Sequence, residues 1–423
     1  MVRIRLENVF FKKDNVQILS NINLIIEDQE YLIIVGPTGA GKTSLIGLIS
    51  GLYKPTSGKI FFDDEDITNL PPNERNCGVM FESYALFPHL NVLDNVSYAR
   101  HMQTNDHNET YSIAEELLNL VRLSGREEAL PSECSGGMQQ RVALARSIMA
   151  LSKGGVIILD EPFKALDAGL RQNLRREVKK IAKSKHLNLT TIHITNDMQE
   201  AMMGDKIVVL DEGKIRQIGT PEDVMYSPID LFIANFFSTE INHFSGKILS
   251  IEDIPIPGFK NKPLQKVIMQ SEEGYILFAK TEKKFNIGDE VTFIIRSQYC
   301  NARHKKRVDK TNSIFGSIKR VKFMGPWLRL EIKAPFNCEN LQILNENRSK
   351  NTNNNEMNNE NPDPHIKSTI NSIPEKILKI EVPTTHITKH DFIVGEIVTV
   401  FFHSQYAIVF PKINNIDEIL KVH

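Results

Sequence analysis

A glycine-rich stretch near the start of the chain constrains the fold more than any other feature. It spans residues 36–43, follows the apolar run of residues 31–35 and precedes an apolar helical pattern at residues 44–49. A buried strand, a glycine-rich turn and a helix N-terminus, in this order, surround phosphate groups with backbone N–H donors. The pattern therefore predicts a nucleotide site, formed by Gly36, Pro37, Thr38, Gly39, Ala40, Gly41, Lys42, Thr43 and Ser44.

A pair of carboxylates further along the chain completes the chemistry expected of such a site. Asp160 and Glu161 directly follow the apolar run of residues 156–159. We expect Lys42 to reach the β- and γ-phosphates, and the Thr43 hydroxyl and Asp160 to hold Mg²⁺. Glu161 would polarise the attacking water. By itself a carboxylate pair can simply cap a turn, but its position downstream of the glycine-rich loop favours catalysis.

The composition is that of an ordinary globular chain. Its 423 residues suffice for two or three domains, with 41% hydrophobic and 24% charged residues. A net charge of −1 provides no electrostatic attraction for nucleic acid. The scattered cysteines favour a reducing compartment. The start lacks the apolar core of a signal peptide, and no apolar run is long enough to span a membrane, so a membrane role requires another chain to hold this one.

Alternating strand and helix patterns indicate the architecture of the first half. Short apolar segments within residues 1–30 predict an antiparallel sheet ahead of the glycine-rich loop. Apolar strands recur at residues 156–159, 190–195 and 206–210, while helical spacing dominates at about 84–150. This order predicts an α/β core with a largely parallel sheet and a helical subdomain.

Beyond about residue 241 the pattern changes to short strands separated by turns, and it repeats. Residues 288–299 align with residues 395–406, an offset of 395 − 288 = 107. The openings of the two lobes, at Gly246 and Gly316, differ by only 316 − 246 = 70, so the second lobe carries about 37 extra residues. Nine of the seventeen residues from 345 to 361 are Asn, a composition too polar to fold. We expect two copies of one small β-barrel, the second interrupted by a disordered loop at about 341–376.

Three motifs give the chain a close resemblance to a known family. They are CSGGMQQRVALAR at 134–146, ILDEP at 158–162 and ALD at 165–167, and together they resemble the ATP-binding-cassette (ABC) ATPases. The sequence IGTP at 218–221 and the β-rich tail resemble those of importer subunits for sugars, sulfate, iron or polyamines. The resemblance implies an ABC ATPase domain at 1–240, followed at 241–423 by an all-β, tandem OB-like transport-associated domain.

The same resemblance implies partners and further site residues. Two chains, either two copies or this chain and another ABC ATPase, would enclose two Mg²⁺-ATP molecules head to tail. The nucleotide contacts would come from the loop of one chain and from Ser135, Gly136 and Gly137 of the other, together with Asp167. Phe11 is the candidate for stacking on adenine, with a place in the core as the alternative.

The expected location is the cytoplasmic face of the cell membrane, where the chain would be peripheral. The segment 82–89 would contact integral membrane permease subunits, and an extracytoplasmic solute-binding protein would act indirectly. Nucleic acid is not an expected partner.

Four positions depart from the family pattern. The family usually has Gln at the positions of Glu82 and Met138, Ser at that of Lys164 and His at that of Asn196. Glu82 keeps an oxygen for Mg²⁺ but brings negative charge towards the γ-phosphate, and Asn196 is a donor without charge. His193, three residues upstream, does not replace the missing His and is expected in the core.

These departures leave alternatives open. The chain is either a working ATPase that energises import, or a weakly or non-hydrolytic regulatory subunit. A soluble ABC protein of translation or DNA repair would have two cassettes in tandem, and this chain has one. Because Lys42, Thr43, Asp160 and Glu161 are all present, the sequence favours hydrolysis.

Overall fold

The computed structural model describes residues 2–104, 106–151, 154–164, 166, 168–184, 186–238, 240–254, 264–303, 312–335, 375–384, 392–414 and 416. The chain divides into two compact units, Met1–Ile229 and Asp230–His423. Within the described ranges, no helix combines the length and the apolar character needed to cross a membrane.

The first unit contains ten strands and seven helices among its described residues. The strands are β1 (Ile4–Lys13), β2 (Val16–Ile26), β3 (Tyr31–Val35), β4 (Ser57–Phe62), β5 (Glu65–Asp66), β6 (Cys77–Met80), β7 (Gly155–Asp160), β8 (Leu189–Ile194), β9 (Lys206–Asp211) and β10 (Lys214–Gly219). The helices are α1 (Lys42–Ile49), α2 (Val92–His101), α3 (His107–Leu120), α4 (Gly136–Met149), α5 (Ala168–Ala182), α6 (Met198–Ala201) and α7 (Pro221–Tyr226).

The smaller sheet of this unit has the order β2-β1-β4-β5 and is antiparallel throughout. The antiparallel sheet predicted for residues 1–30 is thus confirmed. Alternate side chains of β1 are buried, among them Ile4, Leu6 and Val9, and they pack against α1 through Leu45 and Leu48 in one core. This packing holds α1, and with it the glycine-rich loop, against the sheet.

The larger sheet has the order β10-β9-β3-β8-β7-β6, and its neighbours are parallel from β9 to β6. Every residue of β3, β7 and β8 is buried, as expected for strands covered on both faces. Parallel strands bring their carboxyl ends to one edge of the sheet. Ile34 pairs with Ile194, and Ile194 pairs with Asp160, so this edge carries the glycine-rich loop, Asp160 and the residues after β8.

Helices α2, α3 and α4 form a subdomain around one apolar core. Val96, Ala114, Leu118 and Leu144 are buried in it. The first helix begins only at Val92, whereas the sequence pattern suggested helical structure from about residue 84. The reason is local, because Tyr84 and Ala85 adopt φ values of 60° and 46°, in the left-handed region that a right-handed helix excludes.

The second unit is built from strands and one short helix among its described residues. They are α8 (Leu231–Phe236), β11 (Ile241–Ile254), β12 (Leu264–Ser271), β13 (Ile276–Thr281), β14 (Glu290–Arg296), β15 (Asn301–Arg303), β16 (Asn312–Phe323), β17 (Trp327–Pro335), β18 (Glu375–Pro383), β19 (Ile397–Phe402) and β20 (Ile408–Pro411). They form two antiparallel sheets, β13-β12-β11-β14-β20 and β15-β19-β16-β17-β18. Both sheets contribute to a single hydrophobic core.

The internal repeat appears as matching local structure. Each copy has a strand, β14 or β19, followed by one turn of 3₁₀ helix at Ser297–Tyr299 or Ser404–Tyr406. The copies then exchange their next strands, because β15 pairs with β19 and β20 pairs with β14. The two copies of the expected β-barrel thus supply each other with a strand, and their two sheets share one core. Nearly all of the Asn-rich segment at 341–376 lies outside the described residues.

Candidate nucleotide site

The glycine-rich loop between β3 and α1 adopts a compact conformation that depends on its glycines. A Cβ atom at Gly36 would overlap the carbonyl oxygen of Leu210 on β9. Gly41 has a φ of 99° and forms the N-cap of α1. An L-residue is strained in that conformation, so glycine is required where the loop turns into the helix.

Lys42 lies folded over this loop. Its Nζ donates hydrogen bonds to the carbonyl oxygens of Gly36 (2.6 Å) and Pro37 (3.0 Å), and the side chain is buried. Burial lowers the pKa of Lys42, while the charges of Glu161 and Asp160 oppose this shift. The ammonium group is thus held within the loop, next to the two carboxylates.

The start of α1 is suited to binding an anion. Among the α-helices whose N-cap is described, α1 is the one that begins without a side-chain cap, since Gly41 has no side chain to offer. The first N–H groups of a helix have no partners within the helix, and they point towards the positive end of its dipole. A phosphate group would satisfy these donors, so the loop fits a nucleoside phosphate.

The carboxylates stand at the end of β7. Asp160 is the last residue of that strand and is buried. Burial raises the pKa of Asp160, and the charge of Glu82 raises it further. Thr43, the second residue of α1, is exposed and follows directly after Lys42. A hydroxyl and carboxylates provide the hard oxygen ligands that Mg²⁺ prefers, so the donor set formed by Thr43, Asp160 and Glu82 fits this ion.

Glu161 is held by the strand next to β7. Its backbone N–H donates to the carbonyl oxygen of Ile194 (3.0 Å), and its φ of 46° lies in the left-handed region. The side-chain amide of Asn196 donates a hydrogen bond to Glu161 Oε1 at 2.7 Å. Burial raises the pKa of Glu161, while Lys164 and Lys42 lower it. The carboxylate thus has a fixed direction and a raised proton affinity, as a general base requires.

The structure joins two of the four residues that depart from the family pattern. Lys164 Nζ lies 2.8 Å from Glu82 Oε1, in an ion pair that the sequence analysis did not foresee. The sequence predicts an added negative charge near the γ-phosphate at Glu82, and the structure places the positive charge of Lys164 beside it. The sequence contained an indication of this pair, because the departure at Glu82 introduces a negative charge and the departure at Lys164 a positive one.

Arg146 on α4 is a further residue that sequence reasoning missed. Its guanidinium donates hydrogen bonds to the carbonyl oxygens of Tyr84 (2.8 Å) and Ala85 (2.7 Å), and it lies 5.4 Å from the centre of the Phe87 ring. These contacts hold the left-handed turn that follows Glu82. Arg146 thereby connects the helix that starts at Gly136 with the loop of residues 81–89.

The remaining predicted residues have different placements. Ser135 is the N-cap of α4 and accepts a hydrogen bond from the N–H of Met138 (3.4 Å), and both Ser135 and Gly136 are exposed. Gly137 follows in the first turn of α4 and is buried. Asp167 lies outside the described residues.

Phe11 and His193 are core residues. Phe11 is only 6% exposed, and its ring stacks on that of Tyr53 with 5.3 Å between centroids. This placement favours the core role left open for Phe11 and speaks against adenine stacking, because the buried ring is not accessible to a nucleotide. His193 is completely buried, and its Nδ1 lies 2.9 Å from the hydroxyl oxygen of Tyr31.

Comparison with known proteins identifies similar sequences. A family model described as "ABC transporter" matches residues 19–164. The chain is 41% identical over 315 residues to the spermidine/putrescine import ATP-binding protein PotA of Fusobacterium nucleatum subsp. nucleatum, a match that covers 74% of this chain and 80% of that protein. It is 34% identical over 332 residues to the protein of the same name from Legionella pneumophila (strain Philadelphia 1), with coverages of 78% and 86%. It is also 42% identical over 248 residues to the Fe(3+) ions import ATP-binding protein FbpC of Brucella abortus (strain 2308), with coverages of 58% and 69%.

Proposed function

Since this chain belongs to the ABC transporter ATPases, we propose a role for each residue of its nucleotide site. The chain binds and hydrolyses ATP to energise the import of a solute. The observation that carries the assignment of roles is the meeting of Lys42, Asp160 and Glu161 at one edge of the parallel sheet, with Asn196 bonded to Glu161.

Phosphate binding is the task of the glycine-rich loop. The backbone N–H groups at the start of α1 donate hydrogen bonds to the phosphate oxygens, and Lys42 exchanges its bonds to Gly36 and Pro37 for bonds to the β- and γ-phosphates. Thr43, Asp160 and Glu82 supply the oxygen ligands for Mg²⁺. When bound, this ion supplies positive charge that offsets the charge developing on the phosphates.

Hydrolysis relies on Glu161. Its carboxylate orients a water molecule and takes up a proton from it as the water oxygen bonds to the γ-phosphorus and the bond from that phosphorus to the bridging oxygen breaks, releasing ADP. The raised pKa of Glu161, which results from burial, favours the proton transfer. Asn196 keeps one carboxylate oxygen directed by its 2.7 Å hydrogen bond. The alternative of a non-hydrolytic regulator is not favoured, since the required carboxylates are present and Lys164 offsets the charge of Glu82.

Two chains are needed for a complete site in this proposal. Ser135 and Gly136 are exposed at the N-terminus of α4, where the helix dipole is positive, and they are accessible to the nucleotide of a partner chain. Asp167 stays a proposed nucleotide contact. The partner is a second copy or another ABC ATPase.

We place the chain at the cytoplasmic face of the membrane, bound to permease subunits through the loop of residues 82–89. A polyamine is the first solute to test, because the match to the Fusobacterium spermidine/putrescine protein spans 315 residues and that to the Brucella Fe(3+) protein spans 248. Fe³⁺ is the second candidate.

ATPase activity of the chain, assembled with its membrane partner in vesicles, tests these assignments. Spermidine, putrescine and Fe³⁺, each supplied with a solute-binding protein, are compared as stimulators of turnover. Glu161→Gln should abolish turnover and accumulate an ATP-bound dimer in size-exclusion chromatography, because ATP still binds but water is not activated. Normal turnover in Glu161→Gln would contradict the role of Glu161.

A further inference from the structure

Glu82 and Lys164 form an ion pair at the entrance to the nucleotide site. The Nζ and Oε1 atoms are 2.8 Å apart, and the side chains are 51% exposed for Glu82 and 57% for Lys164. The backbone N–H of Lys164 donates to the carbonyl oxygen of Glu161 (3.2 Å), so Lys164 sits on the turn that immediately follows the general base. The pair therefore connects the loop after β6 with the loop after β7.

The charges around this pair are coupled. Glu82 raises the pKa of Asp160 after the larger effect of burial, and Lys164 lowers the pKa values of both Asp160 and Glu161. Lys164 also lowers the pKa of Lys42, in addition to the effect of burial. Without Lys164, the carboxylates of Glu82, Asp160 and Glu161 would be offset by the ammonium group of Lys42 alone. The triphosphate of ATP would then meet an excess of negative charge.

We propose that Lys164 is a positioning residue of the ATPase reaction, which holds the Glu82 carboxylate and offsets its charge so that ATP can enter the site. Glu82 and Lys164 then act as one unit, and the Glu82 charge is not tolerated without Lys164. The inference rests on the proposed function of the glycine-rich loop as the ATP site. It extends that function by giving Lys164 a role.

A role limited to folding does not account for the pair. Both side chains are more than half exposed, and exposed ion pairs contribute little to stability because solvent screens them. Repulsion between Glu82 and an incoming triphosphate is stronger, because the charges are larger and the site beneath them is partly buried. The effect of the pair should therefore appear in ATP binding and not in the melting temperature.

A double-mutant cycle tests the proposal with ATP affinity as the readout, measured by calorimetry on the full chain with Mg²⁺ chelated. Lys164→Gln should weaken ATP binding about tenfold, as expected for one uncovered charge at partly screened distances, whereas Glu82→Gln, whose charge Lys164 already offsets, should change it less than about twofold. The double variant should return to within about twofold of the wild type, and the differences should shrink at 1 M salt. Additive single effects, or no effect of Lys164→Gln, would overturn the proposal.

Matched controls separate this proposal from its premise. Lys59→Gln removes the same charge from another exposed pair, with Asp66 at 3.1 Å, and should leave ATP affinity unchanged. Lys164→Arg retains the charge and should bind ATP as the wild type does. Lys42→Ala should abolish tight binding, and if it does not, the ATP site itself is misassigned. If Lys42→Ala loses binding while the cycle is additive, only the role of Lys164 fails.

Discussion

The side-chain amide of Asn196 donates a 2.7 Å hydrogen bond to the carboxylate of Glu161, 35 positions earlier in the chain. Asn196 is the second residue after β8, and Glu161 is the first residue after β7. The parallel pairing of these two strands brings Glu161, the proposed general base, and its hydrogen-bond donor to the same edge. Glu161 is thus oriented by an uncharged Asn at the position where the family usually has His.

Replacing Asn196 by Ala should lower ATP turnover by about 10- to 100-fold, because Glu161 loses the bond that directs one of its oxygens. The affinity for ATP should stay close to that of the wild type. Steady-state ATPase and ATP titration measure both quantities, and an unchanged turnover in Asn196→Ala would contradict the assignment.

The carboxyl group of Asp160 should make stability depend on pH. Burial and the charge of Glu82 raise the pKa of Asp160 above its ordinary value near 4. The ionised form is therefore penalised in the folded state, and the penalty is complete above the folded-state pKa and absent below the unfolded-state pKa. Asp160→Asn should raise the melting temperature at pH 7.5, and the gain should disappear as the pH falls to about 4. A melting temperature that falls at pH 7.5 would show that the carboxylate stabilises the fold.

Arg146 should couple the nucleotide site to the membrane partner. Left-handed residues other than glycine cost on the order of 1 kcal/mol or more each, and Arg146 holds two of them, Tyr84 and Ala85, by their carbonyl groups. Arg146→Ala should let the loop of residues 81–89 relax. Solute-stimulated ATPase should then fall more than basal ATPase does. The comparison variant is Arg100→Ala, whose guanidinium pairs with Glu109 at 3.3 Å.

The stacked rings of Tyr299 and Tyr406 should stabilise the second unit. Their centroids are 4.5 Å apart, with 11° between the planes. Either replacement by Ala should lower the stability, and the double variant should lose less than the sum by about 1 kcal/mol, the usual worth of an aromatic pair. Urea unfolding followed by the fluorescence of Trp327, the chain's single tryptophan, reports on this unit. Additive losses would indicate that the rings contribute independently.

Local sequence patterns were enough to predict most of the first unit. The glycine-rich loop, the apolar strand before Asp160 and the antiparallel start of the chain each depend on neighbouring residues, and the structure has them where they were expected. The order of strands and helices also indicates that Lys42 and Asp160 lie at the same edge of the sheet, because each is placed by the carboxyl end of a parallel strand. The start of the helical subdomain was less well predicted, since the left-handed turn at Tyr84 has no glycine to indicate it.

The repeat in the second unit shows what local sequence patterns can predict and what they cannot. The sequence is enough to predict the same local structure for residues 288–299 and 395–406, because the same residue types favour the same strand and turn. It did not determine which strands pair. The tertiary structure decided that Ala302 pairs with Val400 and Val409 with Phe293, each copy completing the sheet of the other.

The same distinction applies to the edge of the sheet that carries the nucleotide site. The sequence determined which residues can bind phosphate and activate water, since that chemistry belongs to the residue types and to their places after strands. The pairing of Lys164 with Glu82 and the hydrogen bond from Asn196 to Glu161 are visible only in the folded structure. Such contacts join loops that lie far apart in the chain, and their strength depends on distance and burial, which arise only when the sheet brings its strand ends together.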